Sequence, residues 1–248
     1  MKIKLLSYVS ILILIAVWLV LTLGGIVESL FLPGPKQLYE VISTSYADLA
    51  KHMGYTLMRQ FTGFFIGSAL GIIVGLMIAS NRYIQALLDP IIEILRPVPP
   101  LAVIPMLILW LGIGPVPQIL LVIFGCFVIL VVSTVEAVKN VPKIYVNAAR
   151  TLGAQWFYIY RTVILPAIVP SLVGAIRVAA AASFGLVVAA EFMGAQEGIG
   201  YYMIIAQRYL RTDMILISII LISAIAWLVD QAIRKIEKRM TQWSERHQ

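Results

Sequence analysis

Long apolar runs, separated by short polar or proline-rich segments, dominate the amino-acid sequence. A helix needs roughly 20 residues to cross a bilayer. Six runs could supply such helices, one of them short: 5–23, 56–79, 99–111, 116–138, 167–190 and 214–229. Hydrophobic residues make up 61% of the 248 residues and charged residues 12%, whereas soluble domains average about 45–50% and about 25%. The pattern predicts an all-α integral membrane protein with six transmembrane helices.

The first apolar run is preceded by Lys2 and Lys4, as in a secretory signal peptide. The run is too long for such a peptide, and no small-x-small cleavage site stands before Gly24 and Gly25. We therefore expect residues 5–23 to be retained as the first span.

The segment after the first run is broken and then amphipathic. Pro33 and Pro35 prevent a continuous helix. Residues 36–51 then carry apolar side chains at a helical spacing, which is typical of a short helix lying at the membrane surface: Leu38, Val41, Ile42, Tyr46 and Leu49. The predicted organisation is an N-terminal unit with this outer segment (residues 1–53), a core of five spans that includes a cytoplasmic connection at 139–166 (residues 54–230), and a basic cytoplasmic tail (residues 231–248).

Small residues and prolines mark the second and third runs. Gly63, Gly67, Gly71 and Gly75 recur every four residues, which predicts a stripe along which another helix packs closely in lipid. Prolines at 90, 97, 99, 100 and 105 predict a short helix, a break and a third span at 99–111. Since carbonyls freed by proline at membrane depth need protein neighbours, we expect this span to be buried rather than lipid-facing.

The 19 Lys and Arg residues are distributed unevenly around the spans. With the N-terminus inside, thirteen fall on the cytoplasmic side, four on the outer side and two, Arg59 and Arg177, within spans. Cytoplasmic loops normally carry the excess of basic residues, so both termini are predicted to face the cytoplasm. Topology and contact with anionic membrane lipid therefore explain the net charge of +7 and the basic tail, and no nucleic-acid partner is expected.

The longest cytoplasmic connection, residues 139–166, carries a predicted pair of helical pieces. Pro142 suits the first turn of a helix, and Gly153 suits the left-handed position that ends one. Between them, four residues at i, i+3, i+4 and i+7 predict an apolar face that fits a groove of another protein: Tyr145, Ala148, Ala149 and Leu152. A second piece runs from Trp156 to Pro166, so motion of the first piece would pass into the fifth span.

This connection resembles a known family motif. Its pattern, Asn147-Ala148-Ala149-x3-Gly153-x9-Val163-x-Leu165-Pro166, resembles the Glu-Ala-Ala…Gly…Ile-x-Leu-Pro loop of bacterial ABC importer permeases. Asn147 replaces the usual Glu and Val163 the usual Ile, but the helix, glycine and proline remain. Other stretches resemble the nitrate/sulfonate/taurine type of these permeases, at residues 31–35, 96–100 with Pro105, 110–114, and Ala190-Glu191 with 198–200.

The resemblance implies a type I ABC importer permease fold in the bacterial cytoplasmic (inner) membrane. It implies two permease copies, as a homodimer, an extracytoplasmic solute-binding protein, and two ATPase subunits that bind ATP and Mg²⁺. The implied ATPase-coupling residues are Tyr145, Asn147, Ala148, Ala149, Leu152, Gly153, Val163, Leu165 and Pro166. The chain has no Gly-x4-Gly-Lys-Ser/Thr phosphate loop, so no cofactor and no catalysis are expected in it. The implied solute is a small anion (sulfonate, taurine, nitrate or bicarbonate); a thiamine-precursor pyrimidine or another small organic solute is the alternative.

Two charged residues are candidates for the translocation path. Arg177 lies ten residues into the fifth run, where a charge usually faces protein or water. It either lines the path and attracts an anionic solute, or it is a helix-packing or gate residue. Glu191 follows that run and precedes a glycine-rich outer loop; it either meets the solute or a docking protein, or forms an ion pair at a helix end. Arg59 is expected to extend to the outer membrane interface, and contact with the solute is the alternative.

Other classes of function lack the residues they need. Cys126 is the single cysteine, and neither His52 nor His247 has a carboxylate or cysteine at ligand spacing, so neither a metal site nor a nucleophilic triad is expected. An intramembrane enzyme would need paired polar catalytic groups within spans, and an ion-driven transporter would need carboxylates there. Only Arg59 and Arg177 are expected as charges inside spans.

Overall fold

The computed structural model describes the backbone of residues 2–240 and the side chains of residues 9–239, and the regular elements within this range are helical. In chain order the helices are α1 (Lys2–Leu23), α2 (Pro35–Ser80), α3 (Arg82–Leu95), α4 (Pro100–Leu111), α5 (Pro115–Lys139), α6 (Lys143–Thr151), α7 (Trp156–Ile159), α8 (Leu165–Gly194), α9 (Ile199–Arg208) and α10 (Thr212–Met240). A π-helical turn, Tyr160–Ile164, joins α7 to α8. The all-α class is therefore confirmed.

Four helical stretches are long and apolar enough to cross a membrane: α2, α5, Trp156–Gly194 and Thr212–Arg239. Helices α3 and α4 form a pair bent by 96°, which adds a fifth span if the pair is counted as one. In α1, the apolar part with described side chains is the shorter stretch Val9–Leu23. The number of six spans and the cytoplasmic position of both termini stay predictions.

Helix α2 combines the outer segment and the second span that the sequence separated. Ser45 (φ −122°, ψ 17°) marks a kink between them, but the chain is helical on both sides of it. Leu38 and Val41 are buried against α9 and α10, whereas Ile42 and Tyr46 are exposed. The prediction of a separate short helix is wrong, because the helix continues past the kink into the second span and other helices cover part of its apolar face.

Helices α2 and α5 run parallel and pack along the predicted glycine stripe. At all four glycines, an added methyl group would lie 2.8 Å or less from an atom of α5. At Gly67 it would lie 2.5 Å from the carbonyl oxygen of Ile123. Helix α8 completes this core, in which Cys126 and Leu130 pack against Ala179. The predicted close contact of α2 with another helix is therefore confirmed.

The proline-rich segment forms the expected helix, break and helix, with α4 starting at Pro100. Ile104 is the one residue of α4 that is buried, whereas Leu109 and Trp110 are exposed. The other described helices of the chain cover little of α4, so burial of the third span within the protein stays a prediction.

Helix α8 runs antiparallel to α2 and α5, and α10 contacts α2, α8 and α9. The predicted tail begins as a continuation of α10, which stays helical through residues 231–240. Residues 241–248, the rest of that tail, lie outside the described residues.

Candidate functional site

Helix α6 lies at one end of the bundle with much of its surface exposed. Tyr145 is 56% exposed and Leu152, which follows the helix, is 88% exposed; Asn147 and Ala148 are exposed as well. Ala149 packs inward onto the residues that precede α8. The predicted apolar face is therefore divided: Tyr145, Ala148 and Leu152 are open to a partner, and Ala149 anchors the helix to the bundle.

The bend after α6 is built around Gly153. Its φ of +79° lies in the left-handed region predicted for this position, where a residue with a side chain is strained. The Gly153 N–H donates to the Arg150 carbonyl oxygen at 2.9 Å, and the Ala154 N–H donates to the Ala149 carbonyl oxygen at 3.0 Å. These bonds fix the change of direction between α6 and α7.

The second helical piece continues into α8 without a break. The π-helical turn contains Val163, and α8 begins at Leu165, with Pro166 in its first turn, where a missing N–H is tolerated. The Tyr160 hydroxyl donates to the Leu76 carbonyl oxygen of α2 at 3.0 Å. The segment 156–164 is therefore continuous with α8 and hydrogen-bonded to α2. π-helical turns of this kind are frequent at functional sites.

At the other end of α8, Glu191 forms a buried ion pair with Arg59 of α2. Arg59 Nη1 lies 2.8 Å from Glu191 Oε1, and the side chains are 5% and 0% exposed. The same nitrogen donates to the Glu197 carbonyl oxygen at 2.6 Å. Glu191 also accepts hydrogen bonds from Thr56 Oγ1 at 2.9 Å and from the Gly200 N–H at 2.8 Å. Such pairing and hydrogen bonding offset the cost of burying both charges.

One expectation about this pair is wrong. Arg59 is buried and does not extend towards solvent, because it has a carboxylate partner inside the bundle. Glu191 lies near the end of the helical stretch Trp156–Gly194, and its position after the fifth span stays a prediction. Its contacts support the ion-pair interpretation of Glu191, and contact with a solute stays a prediction.

Two glycines fit the loop after α8 against this ion pair. A methyl group at Gly198 (φ +118°) would overlap the Glu191 carboxylate, and one at Gly200 would lie 2.6 Å from the Val188 carbonyl oxygen. The Gly198 N–H donates to His52 Nδ1 at 3.1 Å. The loop therefore joins α2 and α8 by backbone contacts that only small residues allow.

Arg177 lies within α8 and connects it to α10. Its Nε is 3.0 Å from Asp230 Oδ1, and its Nη1 is 3.2 Å from Glu237 Oε2. Asp230 also pairs with Arg234 at 2.7 Å. These contacts support a role for Arg177 in helix packing, and its role toward a solute stays a prediction.

The described residues contain four apolar helices long enough to cross a membrane, or five if the bent pair α3–α4 is counted as one span. The class of protein is therefore a helical membrane protein of several spans. Among the described side chains, no three His, Cys, Asp or Glu residues group as a metal site would require. The chain belongs to the family described as "Binding-protein-dependent transport system inner membrane component", which matches residues 67–242.

Named relatives agree with this family. The taurine transport system permease protein TauC of Escherichia coli (strain K12) is 33% identical, over 96% of this chain and 89% of that protein. The putative aliphatic sulfonates transport permease protein SsuC of Bacillus subtilis (strain 168) is 31% identical, over 93% of this chain and 84% of that protein. The resemblance predicted from the sequence is confirmed, and with it a non-catalytic permease subunit of the bacterial inner membrane.

Solved structures of ABC importers share the fold. The inward-facing methionine ABC transporter MetNI matches with a TM-score of 0.67 at 23% identity, over 79% of this chain and 97% of that chain. A bacterial ABC transporter involved in the import of the acidic polysaccharide alginate matches with a TM-score of 0.64 at 14% identity, over 97% of both chains. The fold is therefore that of ABC importer permeases.

Sequence reasoning did not pair Arg59 with Glu191, which are 132 positions apart. A signal was present, because an arginine inside an apolar run needs a partner to offset its desolvation. The Gly198-Ile199-Gly200 sequence was a second signal, since closely spaced glycines near a carboxylate indicate close backbone approach.

Proposed function

We propose that this chain forms the translocation path of an ATP-driven importer for a small sulfonate-class anion, and that ATPase subunits bind α6. The observation that carries the proposal is the exposed apolar surface of α6 at one end of the bundle, formed by Tyr145, Ala148 and Leu152. This surface suits a groove of a partner protein that closes around small side chains.

The contacts below α6 provide a route for motion. Val146 and Ala149 pack against the cluster that contains Ile159, Ile164 and Ile168. Those isoleucines lie in α7, in the π-helical turn and in the start of α8. A partner that moves α6 therefore moves the start of α8. In this proposal two ATPase subunits bind ATP and Mg²⁺ and supply the movement.

The proposed assembly has two copies of this chain and an extracytoplasmic solute-binding protein. Exposed apolar residues of α4, among them Leu109 and Trp110, support a second copy, because a helix containing Pro105 needs neighbours for its freed backbone carbonyl. The binding protein would dock at the end opposite α6, where α8 ends. The relatives named for taurine and aliphatic sulfonates support the solute class.

Cross-linking tests the coupling role of α6. Ala148→Cys places a thiol on the exposed surface, and the native Cys126 does not compete because it is fully buried. Tyr39→Cys is the control, since Tyr39 is exposed near the opposite end of the bundle. We expect a thiol-reactive cross-linker to join the ATPase to the Ala148→Cys chain and not to the Tyr39→Cys chain. No product at Ala148, or equal products at both positions, would contradict the proposal.

The solute class is tested separately in the reconstituted complex. We expect ATP hydrolysis to rise when a taurine-loaded or alkanesulfonate-loaded binding protein is added, compared with the unloaded protein. An equal rate with loaded and unloaded protein would refute the sulfonate assignment while leaving the α6 cross-link result intact.

A further inference from the structure

A cavity of about 390 Å³ lies next to the buried ion pair, at the end of the bundle opposite α6. Small-molecule pockets commonly measure about 300–1,000 Å³. Helix α2, the start of α5, the end of α8 and the following loop form its walls, which include Arg59, Gly114, Gln118, Gly194, Gln196 and Glu197. The cavity is therefore large enough for a small organic solute and is lined mostly by polar or backbone groups.

Two of the lining side chains are buried and incompletely hydrogen-bonded. Arg59 is 4% exposed and Gln118 is 3% exposed. Arg59 Nε and Gln118 Oε1 have no hydrogen-bond partner among the described residues. Buried donors and acceptors are normally paired with protein or with ordered water. A donor and an acceptor without protein partners at one cavity fit either ordered water or a solute that carries both an acceptor and a donor, and the volume of the cavity leaves room for the solute.

The charges around the cavity indicate which end of such a molecule lies where. Arg59 keeps a donor beyond its contacts with Glu191 and Glu197. The N-terminus of α5, at Pro115, adds the positive end of a helix dipole. The Glu197 carboxylate contacts Lys51 at 3.5 Å, but this pair is exposed and weak. An anionic group therefore suits the Arg59 side, and an ammonium group suits Gln118 and Glu197.

We infer that this cavity is a binding site for a small zwitterionic anion of the aminosulfonate class, with the sulfonate at Arg59 and the amine at Gln118 and Glu197. The inference rests on the proposed function, in which this end of the bundle receives the solute from the binding protein. It adds a solute-binding site within the permease itself to the binding protein of the proposed assembly.

The test measures the unfolding temperature of the purified permease–ATPase complex in lipid nanodiscs, without a binding protein. Three probes separate the two ends of the ligand: taurine has both charged groups, ethanesulfonate lacks the amine, and 2-aminoethanol lacks the sulfonate. A ligand that binds only the folded state raises the unfolding temperature, and at a given concentration the rise is larger for a ligand with a lower Kd. We expect a clear upward shift with taurine, a smaller one with ethanesulfonate and none with 2-aminoethanol.

Two glutamine variants provide a matched comparison. Gln118→Met removes an acceptor that has no protein partner, so the unfolding temperature without ligand should be unchanged or higher. Taurine binding should weaken about fivefold to tenfold, the loss expected for one hydrogen bond. Gln60→Met is the control, because buried Gln60 donates to Ser183 Oγ at 2.7 Å and is not part of the cavity wall. It should lower the unfolding temperature but keep the taurine shift.

The inference is overturned if taurine produces no shift in the unaltered complex, or if Gln118→Met keeps the full shift. Equal shifts with taurine and ethanesulfonate would overturn the assignment of the amine to Gln118 and Glu197. These outcomes are independent of the Ala148→Cys cross-link, so the cavity site can fail while the coupling role of α6 stands.

Discussion

Replacing Gly67 by alanine tests how closely α2 and α5 pack. The added methyl group would lie 2.5 Å from the Ile123 carbonyl oxygen and 2.9 Å from its Cα. Ordinary van der Waals contact begins near 3.4 Å, so the two helices would have to move apart by about 0.9 Å. Both neighbouring atoms belong to the backbone, and no side-chain rotation relieves the clash. Overpacking of this kind destabilises a protein by about 1–3 kcal/mol.

Gly54→Ala is the matched control, because it lies in the same helix and its added methyl group would meet nothing within 4 Å. Both substitutions gain about 1 kcal/mol of helix propensity, so the difference between them isolates the clash. We expect the unfolding temperature of the purified protein in detergent to be several degrees lower for Gly67→Ala than for Gly54→Ala. Equal unfolding temperatures would refute the close parallel packing of α2 and α5.

Two further predictions concern α8 and the bend that precedes it. Arg177→Gln should lower the unfolding temperature, because Asp230 and Glu237 lose the cation that they share. Adding Asp230→Asn to this variant should recover part of the lost stability. If uptake is lost while the unfolding temperature is unchanged, the result supports a role of Arg177 in the translocation path instead. Gly153→Ala should reduce solute-stimulated ATP hydrolysis more than Gly153→Asn does, because asparagine tolerates the left-handed φ of +79° better than alanine. If Gly153→Asn causes the larger reduction in ATP hydrolysis, backbone strain is excluded as the cause.

Features that depend on local chemistry could be predicted from the sequence. The four-residue spacing of glycines in α2 predicts a packing face whatever helix covers it, and the structure places α5 there. Pro142 stands before α6 and Gly153 after it. Proline has a fixed φ and glycine accepts a left-handed φ whatever their neighbours are, so both helix ends could be predicted from single residues. The all-α class and most helix positions followed from such signals.

Features that depend on which helices meet could not be predicted in the same way. Arg59 looks like an interfacial arginine from its neighbours in sequence, and its burial depends on Glu191 and the loop beyond it. Leu38 and Val41 have the spacing of a surface helix, yet α9 covers them. In both cases the partner lies more than a hundred positions away, and the periodicity of one segment carries no information about it.

The position of α8 explains how one chain can relate two distant sites. The helix has 30 residues and so extends about 45 Å at 1.5 Å per residue. Its start is packed against the cluster that supports α6, and near its end Glu191 contacts Arg59, which lines the cavity. A continuous helix transmits displacement along its axis better than a loop of the same length. Movement of α6 by an ATPase would therefore reach the Arg59–Glu191 pair through α8, and a solute bound at Arg59 would bias α6 by the same route.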